Sequence, residues 1–263
     1  MKMDITAAKS WEARTSCDLF IAEQEYFRHG DSFLGNFINI RKEIEKCLNT
    51  KLFNQKLYAE LKERKTGNYY NRRIKTPSLN KEIKESFKIS SLDLKFEVMF
   101  EEGVFYDSPQ TRGFDFALYD TEYNVSNFWN FCYGRRAVFN GDNRWQSELN
   151  RVDRSDWKVS ATTLGLNPLN ISKGIDLNQK KSKPTIIGEV QFGNWGLVYR
   201  DILKAIKIEK MEDIDLLIYI TATGDLADYI SDGTVNYSKT KGIFEEFKNV
   251  LNVPIWLIGI DIS

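Results

Sequence analysis

The sequence predicts an α/β fold, and three observations carry that prediction. The last third alternates short apolar runs with amphipathic stretches in the order strand, helix, strand, helix, strand. Two of those runs are apolar almost throughout, as parallel strands covered on both faces are. The first half carries an apolar period of three to four residues, which predicts a large helical elaboration before the core. No Gly/Ser-rich linker divides the 263 residues and only five are proline, so one domain over 1–263 is expected, with 1–130 as the elaboration and 131–263 as the core.

From the N-terminus, residues 32–65 read as helical, because Phe33, Phe37, Ile40, Ile44, Leu48, Leu52, Leu57 and Leu61 recur at helical steps. Residues 67–78 (GNYYNRRIKTPS) are basic and aromatic and read as a loop. Residues 92–100 (LDLKFEVMF) alternate as a strand does, and 114–119 form a second strand. Residues 124–160 are aromatic and basic without a clean period. Residues 185–192 (TIIGEVQF) are a strand. Leu197, Val198, Ile202, Leu203 and Ile206 make one helical stripe. Residues 215–221 (DLLIYIT) are a buried strand, 239–251 a second amphipathic helix with Ile243, Phe244, Phe247, Val250 and Leu251 inward, and 253–260 (VPIWLIGI) a third buried strand.

Composition removes several classes of function. Acidic and basic side chains balance at 37 each, which argues against a protein that coats nucleic acid by phosphate neutralisation. It leaves room for a site-specific enzyme with a local basic cleft. The single histidine, His29, excludes any mechanism needing two. Cys17, Cys47 and Cys132 match no zinc or redox spacing and read as free thiols of a reducing cytoplasm. No run approaches the ~18 apolar residues of a membrane span, and the first ten residues have no apolar signal core, so a cytoplasmic protein is expected.

The strand at 185–192 poses a chemical problem. Glu189 and Gln191 share a face with Ile187, while Ile186, Val190 and Phe192 take the other. A charge at the centre of a buried strand is costly unless it is paired or bound to metal. Asp176 lies 13 residues earlier, across a lysine-rich stretch (NQKKSK) and Pro184. A hairpin there would bring Asp176 beside Glu189, and two such carboxylates call for a divalent cation. Mg²⁺ suits them: Asp176, Glu189 and the Val190 carbonyl would supply oxygens to an octahedral shell that keeps several waters.

An acidic residue, a short loop and then Glu-x-Lys on a core strand is the pattern of the PD-(D/E)xK nucleases. Here it is Glu-x-Gln, which resembles the BglII and BstYI group of type II restriction endonucleases. The likeness extends over Gly174-Ile175-Asp176-Leu177, over Gly188 to Asn194, over Leu217 to Thr221 and over Val253 to Gly259, in the same order, with a weaker match at 139–149 and at Trp157-Lys158. It covers about residues 137–260, and residues 1–130 are unmatched. The resemblance implies a restriction-endonuclease-like central mixed sheet flanked by helices. It implies a homodimer that cuts palindromic double-stranded DNA with Mg²⁺. Asp176 would then ligate metal, Glu189 bind or orient the metal water, and Gln191 position the nucleophile. A lysine at 191 would stabilise an attacking hydroxide by charge; a neutral amide only donates or accepts hydrogen bonds, so metal would carry more of the water activation.

DNA contacts are expected at two places that match family positions. Asn194 is suited to adenine in the major groove, or is a turn asparagine beside Gly193. Ser231, Asp232, Thr234, Ser238 and Lys239 match a base-reading loop, or form a helix start capped by Ser238. Arg135, Arg136, Arg144, Arg151, Arg154 and Lys158 make a basic stretch that reads as phosphate contact, with Arg144 and Lys158 foremost, or as a solvated face. The segment 69–75 (YYNRRIK) shares that ambiguity. The six tryptophans read as core. Two alternatives stand beside the restriction enzyme: a nuclease of the same superfamily with a repair or nicking role, and a DNA-binding protein that has lost catalysis.

Overall fold

The computed structural model describes residues 2–53, 56–64, 67–107, 113–169, 173–211, 214–230 and 233–263. The chain folds as two compact units. The first comprises Met1–Leu94, Gly188–Lys207 and Asp215–Ser263, and the second Lys95–Ile187 and Ile208–Ile214.

The first unit begins with β1 (Lys2–Met3), α1 (Ile5–Glu12), β2 (Ser16–Phe27), α2 (Gly30–Asn36), α3 (Ile38–Leu48), β3 (Thr50–Phe53), β4 (Leu57–Lys62), β5 (Tyr69–Ile74) and α4 (Thr76–Lys88). The helical reading holds for α2 and α3, where Leu34, Ile40, Ile44 and Leu48 are buried. It fails after residue 49. Leu52 and Leu57 are buried from two separate strands, and their spacing counts as helical only when the change of strand between them is ignored. The expected loop at 67–78 is strand β5 followed by the start of α4. β5 pairs antiparallel with β4 and with β1 to form a small sheet of its own, in the order β1-β5-β4.

The C-terminal elements follow the sequence closely: β9 (Ile186–Gln191), α8 (Gly196–Glu209), β10 (Leu216–Ala222), α9 (Gly224–Tyr229), α10 (Tyr237–Phe247) and β11 (Ile255–Ile262). Within the first unit the large sheet runs β3-β2-β11-β10-β9. β10 and β11 are parallel, with Tyr219 opposite Leu257, whereas β2 lies antiparallel to β11, so the sheet is mixed. Every residue of β10 is buried, as expected of a strand covered on both faces. On α8 the buried stripe is Val198, Ile202, Ala205 and Ile208, while Leu203 is exposed. α10 ends at Phe247, leaving Val250 exposed beyond it.

In the second unit β6 (Lys95–Glu101), β7 (Val104–Asp107) and β8 (Phe114–Leu118) are antiparallel, with β6 between the other two. Helices α5 (Thr121–Tyr133), α6 (Gly141–Leu149) and α7 (Ser155–Thr163) follow, with a 3-10 turn at Val152–Arg154. Their core is aromatic: Phe128 stacks on Trp145 at 5.4 Å and tilts against Trp157 at 5.3 Å, and Trp129 meets Trp145 edge-on at 5.2 Å. Such pairs add about 0.5–1.5 kcal/mol each beyond their burial. Among the described residues no helix is long and apolar enough to cross a membrane.

Candidate active site

Strand β9 sets the site's geometry. Pleating sends Glu189 and Gln191 to one side, as expected, and both meet helix α8 there. Glu189 is 3% exposed and Gln191 7%. The Glu189 carboxylate is bound by the Lys204 ammonium. Gln191 Nε2 donates to Asp201 Oδ2 at 3.0 Å, and Gln191 Oε1 accepts from the Gly193 amide at 2.8 Å. Both ends of the amide are therefore fixed, leaving one N–H and one lone pair. Gly193 makes this possible: a β-carbon there would come within 2.8 Å of Gln191 Oε1 and of Leu197. The Thr221 hydroxyl donates to the Gln191 carbonyl at 3.0 Å and ties β9 to β10.

Asp201, Lys204 and Tyr219 complete this cluster. The Tyr219 hydroxyl donates to Asp201 Oδ2 at 3.2 Å, and Lys204 Nζ lies 3.2 Å from Asp201 Oδ1. The apolar stripe of α8 hid these residues in the sequence. The readable signal was a charge where the stripe calls for an apolar residue, since Asp201 falls three residues after Val198 and four before Ala205. Two hard carboxylate oxygens converge on one ammonium here, the donor chemistry that a divalent ion such as Mg²⁺ also takes. Among the described residues no group of three or more His, Cys, Asp or Glu side chains gathers as a metal cage.

Asp176 belongs to the second unit. It does not sit in a hairpin, since residues 175–181 form no strand. A cradle of backbone holds it instead. The Arg135 amide donates to Asp176 Oδ1 at 2.8 Å, and any side chain at Gly134 would meet that oxygen. Next to it, Leu177 exchanges two hydrogen bonds with the Asn130 side chain, at 2.7 and 2.9 Å. The Asp176 side chain stays about half exposed at 48%.

The base-reading positions come together in the first unit. Asn194 bridges to Thr234, and the Val235 amide donates to the Gly193 carbonyl at 2.9 Å. The end of β9 and the start of the 233–239 segment therefore form one surface. Asn194 also makes the turn that was its alternative, since its Oδ1 accepts from the Gly196 amide at 2.9 Å. Ser231 and Asp232 lie outside the described residues. Ser238 is not the helix cap: α10 starts at Tyr237, and Asn236 caps it by accepting from the Lys239 amide at 3.0 Å. Ser238 and Lys239 are exposed on the first turn. Asn71, Arg72 and Arg73 of β5 line a polar concavity with Thr234, Asn236 and Lys239. Arg72 is anchored there by the Tyr229 hydroxyl at 3.0 Å, with its guanidinium over the Trp11 ring at 5.3 Å.

The basic stretch of the second unit divides. Arg144 and Lys158 are exposed, as phosphate contacts must be, though Arg144 also lies 5.3 Å from the Phe131 ring. Arg154 is fully buried, paired with Asp107 and Glu148 and stacked 4.4 Å over Trp157, so it braces the core and does not face solvent. Five tryptophans are buried, but Trp195, beside Asn194, is 50% exposed. The thiols are all buried; burial pushes Cys17 up to about 11 and Cys132 up to about 12, as expected of inert structural cysteines.

A family model described as restriction endonuclease BglII/BglIII matches residues 22–260. The match reaches far into the N-terminal half, which carries no likeness in the four ordered segments. A crystal structure of restriction endonuclease BglII complexed with a DNA 16-mer is similar at a TM-score of 0.44 and 14% identity, covering 90% of this chain and 74% of that one. A crystal structure of free BglII is similar at 0.40 and 12%, covering 90% and 77%. No curated protein matches.

Proposed function

Because the chain belongs to the BglII/BglIII restriction endonuclease family, we propose that it is a Mg²⁺-dependent type II enzyme, acting as a homodimer that hydrolyses palindromic double-stranded DNA at one site. The observation that carries the reading is the placement of Glu189 and Gln191. A carboxylate and an amide point from the centre of a buried strand into a polar cluster that the core itself does not need.

In this reading Asp176, Glu189 and the Val190 carbonyl would hold Mg²⁺. When bound, the ion supplies Lewis-acid chemistry, drawing charge from the phosphate and acidifying water. The chain's own residues do the rest. Gln191, clamped by Asp201 and the Gly193 amide, offers its remaining N–H or lone pair to orient the attacking water. Asn194, Thr234 and Lys239 face DNA from one surface, the first two reading base edges and the third meeting phosphate. Ser231, Asp232 and Ser238 belong to the same reading segment. Arg144 and Lys158 add phosphate contacts.

Digestion of a plasmid of known sequence in Mg²⁺, with mapping of the ends, tests the whole reading. Fixed ends within a palindrome support it. No cleavage of any duplex, with DNA binding retained in Ca²⁺, would make this a binding protein instead. Asp176→Asn is expected to bind DNA in Ca²⁺ and to leave it uncut; cutting by that variant would remove Asp176 from the metal site. Gln191→Ala at the wild-type rate would remove the water-orienting role.

A further inference from the structure

The Glu-x-Gln pattern puts no cation on strand β9, yet an ammonium stands beside it. Lys204 comes from α8, 15 residues after Glu189. It binds the Glu189 carboxylate and lies 3.2 Å from Asp201 Oδ1, while Asp201 Oδ2 accepts from Gln191 Nε2 at 3.0 Å. The four side chains form a continuous series, Glu189 to Lys204 to Asp201 to Gln191, that starts and ends on the two polar residues of the motif. Their side-chain exposures are 4% for Glu189, 22% for Lys204 and 1% for Asp201, so these charges act on one another with little water between them.

A pair needed only to neutralise a buried glutamate would stop at Lys204. This lysine is instead shared with a second buried carboxylate, and that carboxylate holds the motif's amide. Tyr219 fixes Asp201 from β10 at 3.2 Å, so the series is braced by two strands and a helix. Resting on the nuclease reading above, we propose that Lys204 is a positioning residue for DNA cleavage. From the helix it supplies the positive charge that strand β9 lacks, and it holds Glu189 and, through Asp201, Gln191 in their working attitudes.

Three variants test this: Lys204→Met, Lys204→Arg, and Lys204→Met combined with Gln191→Lys, which moves the lysine onto the strand. Each is measured for single-turnover cleavage in saturating Mg²⁺, for DNA affinity in Ca²⁺, and for metal-free melting temperature. Lys204→Met is expected to cut about 100-fold slower, the size of effect that loss of positioning produces. Its DNA affinity in Ca²⁺ should stay within about threefold of wild type. Lys204→Arg should keep cleavage within about tenfold, and the relocated lysine should restore at least about tenfold over Lys204→Met. The proposal is overturned by Lys204→Met cutting at near wild-type rate. It is also overturned by DNA affinity falling in step with cleavage, or by neither the arginine nor the relocated lysine restoring activity. If Lys204→Met does not fold, Lys204→Arg decides: a folded Lys204→Arg that cuts more than about tenfold below wild type overturns the proposal. A wild-type protein that cuts no duplex DNA in Mg²⁺ would sink the nuclease reading itself, whereas an active wild type with these variant outcomes sinks only the role of Lys204.

Discussion

Replacing Asp201 perturbs the buried network at its most connected point. Its side chain is 1% exposed. One oxygen accepts from Gln191 at 3.0 Å and from Tyr219 at 3.2 Å; the other faces Lys204 at 3.2 Å and Arg200 at 3.0 Å. In Asp201→Ala two neutral donors lose a charged acceptor, and each such bond contributes about 1.5–3 kcal/mol. The Arg200 pair adds little, because that side chain is 53% exposed and pairs in water contribute about 0–1 kcal/mol. Lys204 retains Glu189 as a partner. The expected loss is thus about 3–6 kcal/mol, overlapping the range of about 3–5 for breaking a buried charged group's contacts. Asp201→Asn keeps an oxygen for Gln191 and Tyr219 but loses the charge opposite Lys204, so about 2 kcal/mol is expected. Urea unfolding followed by far-ultraviolet circular dichroism measures both, with the denaturant slope compared with wild type. A cycle with Gln191→Ala should show a coupling of at least about 1 kcal/mol. A loss under about 1 kcal/mol for Asp201→Ala, or strict additivity in the cycle, refutes the network as described.

Other consequences are as concrete. Arg154→Ala strands Asp107 beside a void over Trp157, leaving Glu148 only Arg151, and should cost about 3–5 kcal/mol, read by the same unfolding curves; a cost under about 1 kcal/mol would mean the arginine does not brace the core. Gly134→Ala drives a methyl group toward Asp176 and the Asn130 carbonyl, so DNA cleavage should fall about 100-fold. Cleavage at the wild-type rate would show that Asp176 needs no such cradle. Asp120 gives a pH dependence. Burial opposes its ionisation, but hydrogen bonds from the Ser182 hydroxyl and amide and from the Tyr123 amide outweigh it and hold the carboxyl below its ordinary value. A depressed folded-state value means stability that is present above the unfolded value of about 3.9 and lost as pH falls through the folded one. Unfolding free energies at about pH 6 and pH 3 should therefore drop further for wild type than for Asp120→Asn. Equal drops would rule the contribution out.

The sequence was most readable where burial is symmetric. Strands β9, β10 and β11 are apolar on both faces, so their runs announce themselves, and the odd Glu189 and Gln191 stand out against them. It was least readable where burial is symmetric in a helix. On α5 the buried residues are Asn124, Val125, Ser126, Phe128, Trp129, Cys132 and Tyr133, which surround the axis and leave no stripe to detect. Residues 50–62 misled for a different reason: leucines on two successive short strands, Thr50–Phe53 and Leu57–Lys62, happen to fall at helical spacing. The candidate site was half legible. Its strand residues carry a motif, but Asp201 and Lys204 reach it from α8, and only the packing of that helix on β9 reveals that they belong together.

The place of β11 has a bearing on how the protein is made. This strand, Ile255–Ile262, pairs with β10 on one side and with β2, from the opposite end of the chain, on the other. The ribosome delivers β2 and its neighbour β3 early, but β11, the strand on the other side of β2, emerges more than two hundred residues later. The two halves of that sheet, β3-β2 and β10-β9, are joined only through β11 between them, which makes this strand the keystone of the first unit.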